Sequence, residues 1–256
     1  MINVLINGCN GNMGKVLGRY IKEITSDMTV KYLVDRNSEI SFQLLDSKLN
    51  LSYDENDFIT YIKPDVIIDF SVPEATFLAL DFAAKNLIPI VIATTGFSKE
   101  ENAKIHEYSQ AIPIFLSSNM SFAINLIANL LTNIAPLLSN MDIEILEKHH
   151  SMKKDAPSGT ALLLANAINN TMENKYSYTF DRHSRRSARL KHEIGFSSVR
   201  GGNLVGEHNV MFIGDNESIE IKHTAYSRIV YAEGAVRAAR FIINKKNGLY
   251  TMQDLI

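Results

Sequence analysis

Three observations predict an α/β chain of two domains. In the first half, short apolar runs alternate with amphipathic segments, and a glycine-rich turn joins the first run to the first helix. After Ser117-Ser118 the rhythm changes to a long apolar helix and then to longer strands. Strands separated by helices build a parallel sheet with right-handed crossovers, which defines the first domain.

Taken in order, residues 2–6 form a continuous apolar run of buried-strand type, and residues 13–24 form the first helix. Residues 30–34 and 66–70 are the second and third strands, the latter introduced by Pro64-Asp65. A helix over 74–85, a strand over 89–93, a helix over 99–110 and a strand over 112–116 complete the alternation. A helix over 123–138 then leads to a strand over 142–148 and a helix over 160–170. The polar, basic stretch 176–190 reads as a loop. Strands over 195–200, 207–213 and 218–223 follow, with Gly214-Asp215-Asn216-Glu217 as the hairpin turn between the last two. The closing helix covers 232–243, and Asn247-Gly248 is its C-cap signal. The change of rhythm near 117–121 gives a first domain of 1–118 and a second of 119–228. A C-terminal helix and tail, 229–256, is expected to pack back on the first.

An apolar fraction of 46% and a charged fraction of 21% suit a soluble globular protein. The formal net charge of -2 supplies no global field for nucleic acid or acidic membranes. One cysteine, Cys9, excludes an intrachain disulfide and fits a reducing cytoplasm. Residues 1–6 are too short, and lack the basic start, for a secretory leader. The longest apolar stretch, 126–138, is broken by Asn129, Thr132, Asn133 and Pro136, short of the roughly 20 residues that span a bilayer. A cytoplasmic protein is expected.

Gly8-Cys9-Asn10-Gly11-Asn12-Met13-Gly14 follows a strand and opens a helix, the context a dinucleotide fingerprint requires. The first glycine permits the tight turn, the second lets backbone approach a pyrophosphate, and the third lets helix pack on strand. The helix N-terminus offers unpaired N–H groups and partial positive charge to the phosphates. Cys9, inside the turn, reads as a small packed residue rather than a nucleophile. Asp35-Arg36 ends the second strand about twenty residues on, where an acid holds ribose hydroxyls and an arginine engages a 2′-phosphate or stacks on adenine. Asp35 favours NAD and Arg36 tolerates NADP, so both cofactors stay open. Ala93-Thr94-Thr95-Gly96 closes the fourth strand at its carboxyl end, where ligands lie in doubly wound sheets.

The densest chemistry lies in residues 147–161: two histidines, His149 and His150, then Lys153 and Lys154, then Asp155-Ala156-Pro157-Ser158-Gly159-Thr160 opening a helix. Proton donors, positive charge and a helix start describe a site for an anionic substrate that is protonated during reaction. In isolation, adjacent histidines at a strand end are more often structural. A metal reading fails on the single cysteine and the lack of an HExxH or paired acidic ligands. Lys154 reads as a solvated neighbour, and Asp155 and Pro157 as turn formers. The basic run Arg182-His183-Ser184-Arg185-Arg186-Ser187-Ala188-Arg189-Leu190-Lys191-His192 invites a nucleic-acid reading. The near-neutral charge and the absence of interleaved aromatics argue instead for a mobile solvated loop, some of whose charges draw in anionic ligands.

Gly8–Gly14, Ala93–Gly96, Ser118-Asn119-Met120-Ser121, the E-x-H-H-x-x-K-x-D-A-P-S-G-T-A run and Gly206-Glu207-His208 together resemble the 4-hydroxy-tetrahydrodipicolinate reductase family, nearly end to end. The resemblance implies an N-terminal Rossmann dinucleotide-binding domain, a C-terminal α+β domain on an open mixed sheet, and a homotetramer assembled through that sheet. It implies hydride transfer from NADH or NADPH to a cyclic imine dicarboxylate, with loss of the 4-hydroxyl as water, in lysine and diaminopimelate synthesis. Carried over by position, His149 is the proton donor or acceptor and Lys153 the proton donor, while His150, Gly159 and Thr160 bind substrate. The cofactor contacts become Gly8, Cys9, Asn10, Gly11, Asn12, Met13, Asp35, Arg36, Ala93, Thr94, Thr95, Ser117, Ser118, Asn119 and Met120; no metal and no nucleic acid is implied.

The residues read by themselves agree. Hydride addition to a conjugated imine leaves an enamine-like anion that must gain a proton, and a lysine and a histidine are suited to supply it. Lys153 and His150 offer charge to two carboxylates, and Ser158, Gly159 and Thr160 offer donors at a helix start. The chain departs from the family where Ala93 replaces a frequent glycine, Met120 a frequent phenylalanine and Ser117-Ser118 frequent alanines. Its 35–63 segment is short, with acids at Asp54, Glu55 and Asp57. These departures bear on cofactor preference. Two other readings are another Rossmann oxidoreductase on a small dicarboxylate, of aspartate-dehydrogenase type, and a non-catalytic dinucleotide sensor. A substrate panel followed at the nicotinamide absorbance separates the first; dispensability of His149 and Lys153 marks the second.

Overall fold

The computed structural model describes residues 1–36, 41–42, 45 and 62–256, in two compact units. The first unit comprises Met1–Ser121 and Ile229–Ile256, and the second Phe122–Arg228. Asp54, Glu55 and Asp57 lie outside the described residues.

In the first unit, β1 (Ile2–Asn7), β2 (Met28–Val34), β3 (Val66–Asp69), β4 (Ile90–Ile92) and β5 (Pro113–Leu116) form a parallel sheet. Helices α1 (Asn12–Ile24), α2 (Pro73–Asn86) and α3 (Lys99–Tyr108) lie between them in sequence. Val66, Ile67, Ile68, Ile90, Val91 and Ile92 are all fully buried, as continuous apolar runs demand when a sheet is covered on both faces. One core packs α1 and a later helix against one face, the other packs α2 and α3 against the opposite face. From β3 through β4 to β5, chain order and spatial order agree; at β1 they reverse, because β1 sits between β2 and β3. That reversal leaves a crevice at the carboxyl ends of β1 and β3.

In the second unit, α4 (Phe122–Ile134) runs into a 3-10 turn (Ala135–Leu138) and then β6 (Asp142–His149). Helix α5 (Gly159–Thr171) and the strands β7 (Ser177–Thr179), β8 (Glu193–Arg200), β9 (Gly206–Ile213) and β10 (Ser218–Ala225) follow. Their order is β10-β9-β6-β8-β7, with β6 antiparallel to β9 and parallel to β8. Ile143 and Ile145 of β6 face α4 and α5 in one core with Val210 and Phe212. The last helix, α6 (Ile229–Ile242), returns to the first unit, where its alanine-rich face packs among Val4, Ile6 and Val91.

Two elements differ from the sequence expectation. Asn247-Gly248 does not cap the closing helix: Gly248–Tyr250 forms β11, a parallel edge strand against β5. Nor is 176–190 a free loop. Ser177–Thr179 pairs with β8, and Arg182 binds Glu144 and Glu193 at 2.5 and 2.6 Å. Arg185 reaches Glu193 at 3.0 Å and Arg189 reaches Asp142 at 2.9 Å. Three of the run's four arginines are thus spent on carboxylates of the sheet, so they do not serve as free charge for anionic ligands. Sequence spacing could not reveal this, because the carboxylates arrive from β6 and β8.

Candidate active site

The β1–α1 turn is built on close backbone approach. Gly8 has φ +78°, and a Cβ there would stand 2.4 Å from the Phe70 carbonyl oxygen. A Cβ on Gly14 would stand 2.2 Å from the Gly8 oxygen, so the third glycine is what lets α1 lie against the turn. Gly11 occupies the N-cap and offers no side-chain acceptor, leaving the first N–H groups of α1 open to a ligand. Asp35 follows the end of β2 and accepts the Asn10 N–H at 3.0 Å, which ties the turn to the acid expected beside a ribose. A cleft of about 800 Å³ opens here, lined by Gly8, Asn10, Gly11, Asp35, Arg36 and Ser71. Its size, glycine floor and helix N-terminus fit a dinucleotide.

Cys9 is buried, and burial, then the nearby Asp35 charge, pushes its thiol up, as suits a packed residue. Asn12 and Met13 open α1. Ala93, Thr94 and Thr95 follow the end of β4 and Ser117, Ser118 and Asn119 the end of β5; neither group lines the cleft. Met120 is 2% exposed and belongs to the first unit's core.

Asp69, which sequence reasoning passed over, organises these strand ends. It is fully buried and accepts Asn7 Nδ2 at 2.7 Å, Thr76 Oγ1 at 2.6 Å, Thr94 Oγ1 at 2.8 Å and Ser71 Oγ at 2.5 Å. Burial raises its carboxyl above the ordinary range against the pull of those donors. An acid ending an all-apolar strand was the available signal.

In the second unit, the alternation that buries Ile143 and Ile145 also places Glu147 and His149 on the covered face, at the carboxyl end of β6. Cross-strand register puts Ser198 and Arg200 of β8 on one side and His208 of β9 on the other. Glu147, fully buried, lies 2.5 Å from His149 Nδ1 and accepts Arg200 Nη1 and Nη2 at 2.9 and 2.7 Å. Burial opposes its charge, but Arg200, Ser198 and His149 outweigh it and hold the carboxyl at about 2. Burial, ahead of the Glu147 attraction, lowers the imidazole of His149, and the Lys153 and Arg200 charges add to that. His208 packs edge-on to His149 at 5.1 Å and is brought down to about 3, chiefly by burial.

The turn after β6 is anchored to the β8–β9 connection: His150 N–H donates to the Leu204 oxygen at 2.8 Å and Ser151 N–H to the Gly202 oxygen at 3.2 Å. Lys153 Nζ pairs with Asp155 at 2.9 Å, and the Ala156–Pro157 peptide is cis. Ser158 caps α5, accepting the Ala161 N–H, and its own N–H goes to Glu147 at 3.2 Å. Its hydroxyl also meets His208 Nε2 at 2.8 Å and it is 2% exposed, so Ser158 is committed internally rather than offered to a substrate. Gly159 is exposed, with nothing within 4 Å of a would-be Cβ, and Thr160 follows it on the first turn of α5. His149, His150, Lys153, Gly159 and Thr160 therefore share one strand end, one turn and one helix start.

Family models of the dihydrodipicolinate reductase N-terminus and C-terminus match residues 2–120 and 123–256. A 4-hydroxy-tetrahydrodipicolinate reductase of Caldanaerobacter subterraneus subsp. tengcongensis is 46% identical, over 100% of this chain and 98% of its own length. One from Clostridium novyi is 43% identical over the same shares. In fold, the chain is similar to a dipicolinate-bound dihydrodipicolinate reductase from Paenisporosarcina sp. TG-14, with a TM-score of 0.78 at 23% identity and full coverage of both chains. With both halves matched and full-length relatives well above chance identity, the chain belongs to the dihydrodipicolinate reductase family.

Proposed function

We propose that this chain is a 4-hydroxy-tetrahydrodipicolinate reductase. It reduces (2S,4S)-4-hydroxy-2,3,4,5-tetrahydrodipicolinate to tetrahydrodipicolinate with loss of water, in lysine and diaminopimelate biosynthesis. The observation that carries the reading is His149, held against the Glu147 carboxylate at the strand end that leads into the Lys153 turn, beside the open start of α5. NADH or NADPH, when bound, supplies the hydride that arrives at C4 of the substrate.

Gly8 to Met13 hold the pyrophosphate on the α1 N-terminus, Asp35 and Arg36 the adenine ribose, and Ala93 to Thr95 with Ser117 to Met120 the nicotinamide end. Lys153 donates the proton that balances hydride addition, and His149 moves a proton at Nε2. His150, with the N–H groups of Gly159 and Thr160, holds a substrate carboxylate. The balance is substrate, reduced nicotinamide and one proton in, and product, oxidised nicotinamide and water out. The test follows nicotinamide absorbance with NADH and NADPH in parallel. Oxidation is expected only when the condensation product of pyruvate and aspartate semialdehyde is supplied; its absence with that substrate would sink the reading.

We further propose a cytoplasmic homotetramer. The single, buried Cys9 suits a reducing compartment. On the sheet face opposite α4 and α5, Val199 and Ile213 are 43% and 40% exposed; with Leu146 and Met211 they stand among the ion-paired Glu144, Lys148 and Glu207, a mixed face that a second copy would cover. Light scattering is expected to give four chain masses, falling when Val199 and Ile213 both become lysine. A monomeric wild type would remove this assembly.

A further inference from the structure

We infer that Glu147, clamped by Arg200, is the positioning residue that fixes the tautomer and orientation of His149; the inference rests on His149 being a proton-handling group. Glu147 accepts the two Arg200 nitrogens and the Ser158 N–H, and His149 Nδ1 stands 2.5 Å from it. Gripped by a guanidinium through both oxygens, it is a carboxylate with no proton to give. The hydrogen of the 2.5 Å contact therefore resides on His149 Nδ1. In the neutral ring Nε2 is then the bare nitrogen. It points past Gly206, where a Cβ would stand only 3.1 Å from it, so this glycine keeps its face clear.

The surroundings leave Glu147 alone in this role. Among the described residues, the groups acting on His149 are Glu147 on its own strand, Arg200 on β8, His208 on β9 and Lys153 on the turn; Glu147 is the carboxylate that meets its ring, at 2.5 Å, while Asp155 is taken by Lys153. Position 147 also continues the apolar row of Ile143 and Ile145, so a leucine would pack there by pattern. A buried ion pair commonly brings no more stability than such apolar packing. What it brings here is direction, since a base held by a third group presents a defined nitrogen. Arg200 reaches further still, because Nη2 also donates to the Asp155 carbonyl at 2.6 Å. One guanidinium thus ties the orienting carboxylate to the turn that carries Lys153.

The test uses the full-length chain and reads the tautomer directly. Imidazole ¹⁵N spectra, with the His149 signals assigned by their loss in His149→Gln, are expected to show the Nδ1–H form in the wild type. In Glu147→Gln the side-chain oxygen remains with Arg200 and an amide N–H₂ faces Nδ1, so the ring should change to Nε2–H. Turnover should then fall roughly 10²-fold with the KM for reduced nicotinamide unchanged, and Arg200→Lys should lie between. A wild-type Nε2–H signal, or wild-type kcat in Glu147→Gln, overturns the inference. If Glu147→Gln does not fold, the wild-type spectrum and Arg200→Lys decide it. Full activity of His149→Gln would instead overturn the proton-handling assignment, and the tautomer result would stand apart from it.

Discussion

Replacing Lys153 by methionine, or His149 by glutamine, is expected to lower kcat by roughly 10²–10⁴-fold while fold and cofactor binding persist. Both variants spare the structure for stated reasons. Among the described residues Lys153 makes one ion pair, with an Asp155 side chain that is 61% exposed, and such a pair contributes little to stability. Methionine keeps most of the aliphatic stem. At position 149 the glutamine amide still donates to Glu147, so the buried carboxylate keeps a partner in addition to Arg200. What each change removes is proton chemistry. Burial, with the Lys153 and Arg200 charges, lowers the His149 imidazole against the Glu147 attraction, which favours its proton-accepting form. The measurement is steady-state kcat beside a reduced-nicotinamide fluorescence titration and a thermal melt. Near-normal turnover in both variants, with melts unchanged, would remove the assigned roles.

Much of this site was legible in the residues, because its parts are local. The run from His149 to Thr160 is a strand end, a turn and a helix start, and the Gly8–Gly14 turn carries its own stereochemical reason. Glu147 was half legible: two residues before His149 on a strand, it had to share a face with it, yet nothing in the chain said the face was covered. Arg200 and His208 were not legible as partners, since they come within reach only through the β6–β8 and β6–β9 registers. The same limit misassigned 176–190. A stretch of arginines looks solvated until the sheet delivers Glu144 and Glu193 to it. Strand β11 escaped because a three-residue edge strand carries no period, and Asn-Gly after a helix is a strong stop signal.

The other large effect concerns two glycines on one helix, for which opposite results are expected. Gly14→Ala should destabilise the first unit by about 2–3 kcal/mol and abolish tight binding of reduced nicotinamide. Gly18→Ala, one turn later, should stabilise by about 0.5–1 kcal/mol and leave binding alone. Helix propensity alone predicts a gain at both sites, because each lies within α1, Gly14 in its first turn and Gly18 in its second. Space decides instead. At Gly14 a methyl would stand 2.2 Å from the Gly8 oxygen and 2.7 Å from the Cys9 Cα, both backbone, so relief requires the turn or the helix to move. At Gly18 the nearest atom is the Ile6 Cδ1 at 3.8 Å, an ordinary contact. The displaced turn is also the one whose Asn10 N–H is held by Asp35, so strain at Gly14 reaches both the pyrophosphate floor and the ribose acid. Urea unfolding and a reduced-nicotinamide titration on the two variants read this directly. A stabilised Gly14→Ala that still binds tightly would mean that the third glycine is a propensity accident and not the seat of the turn.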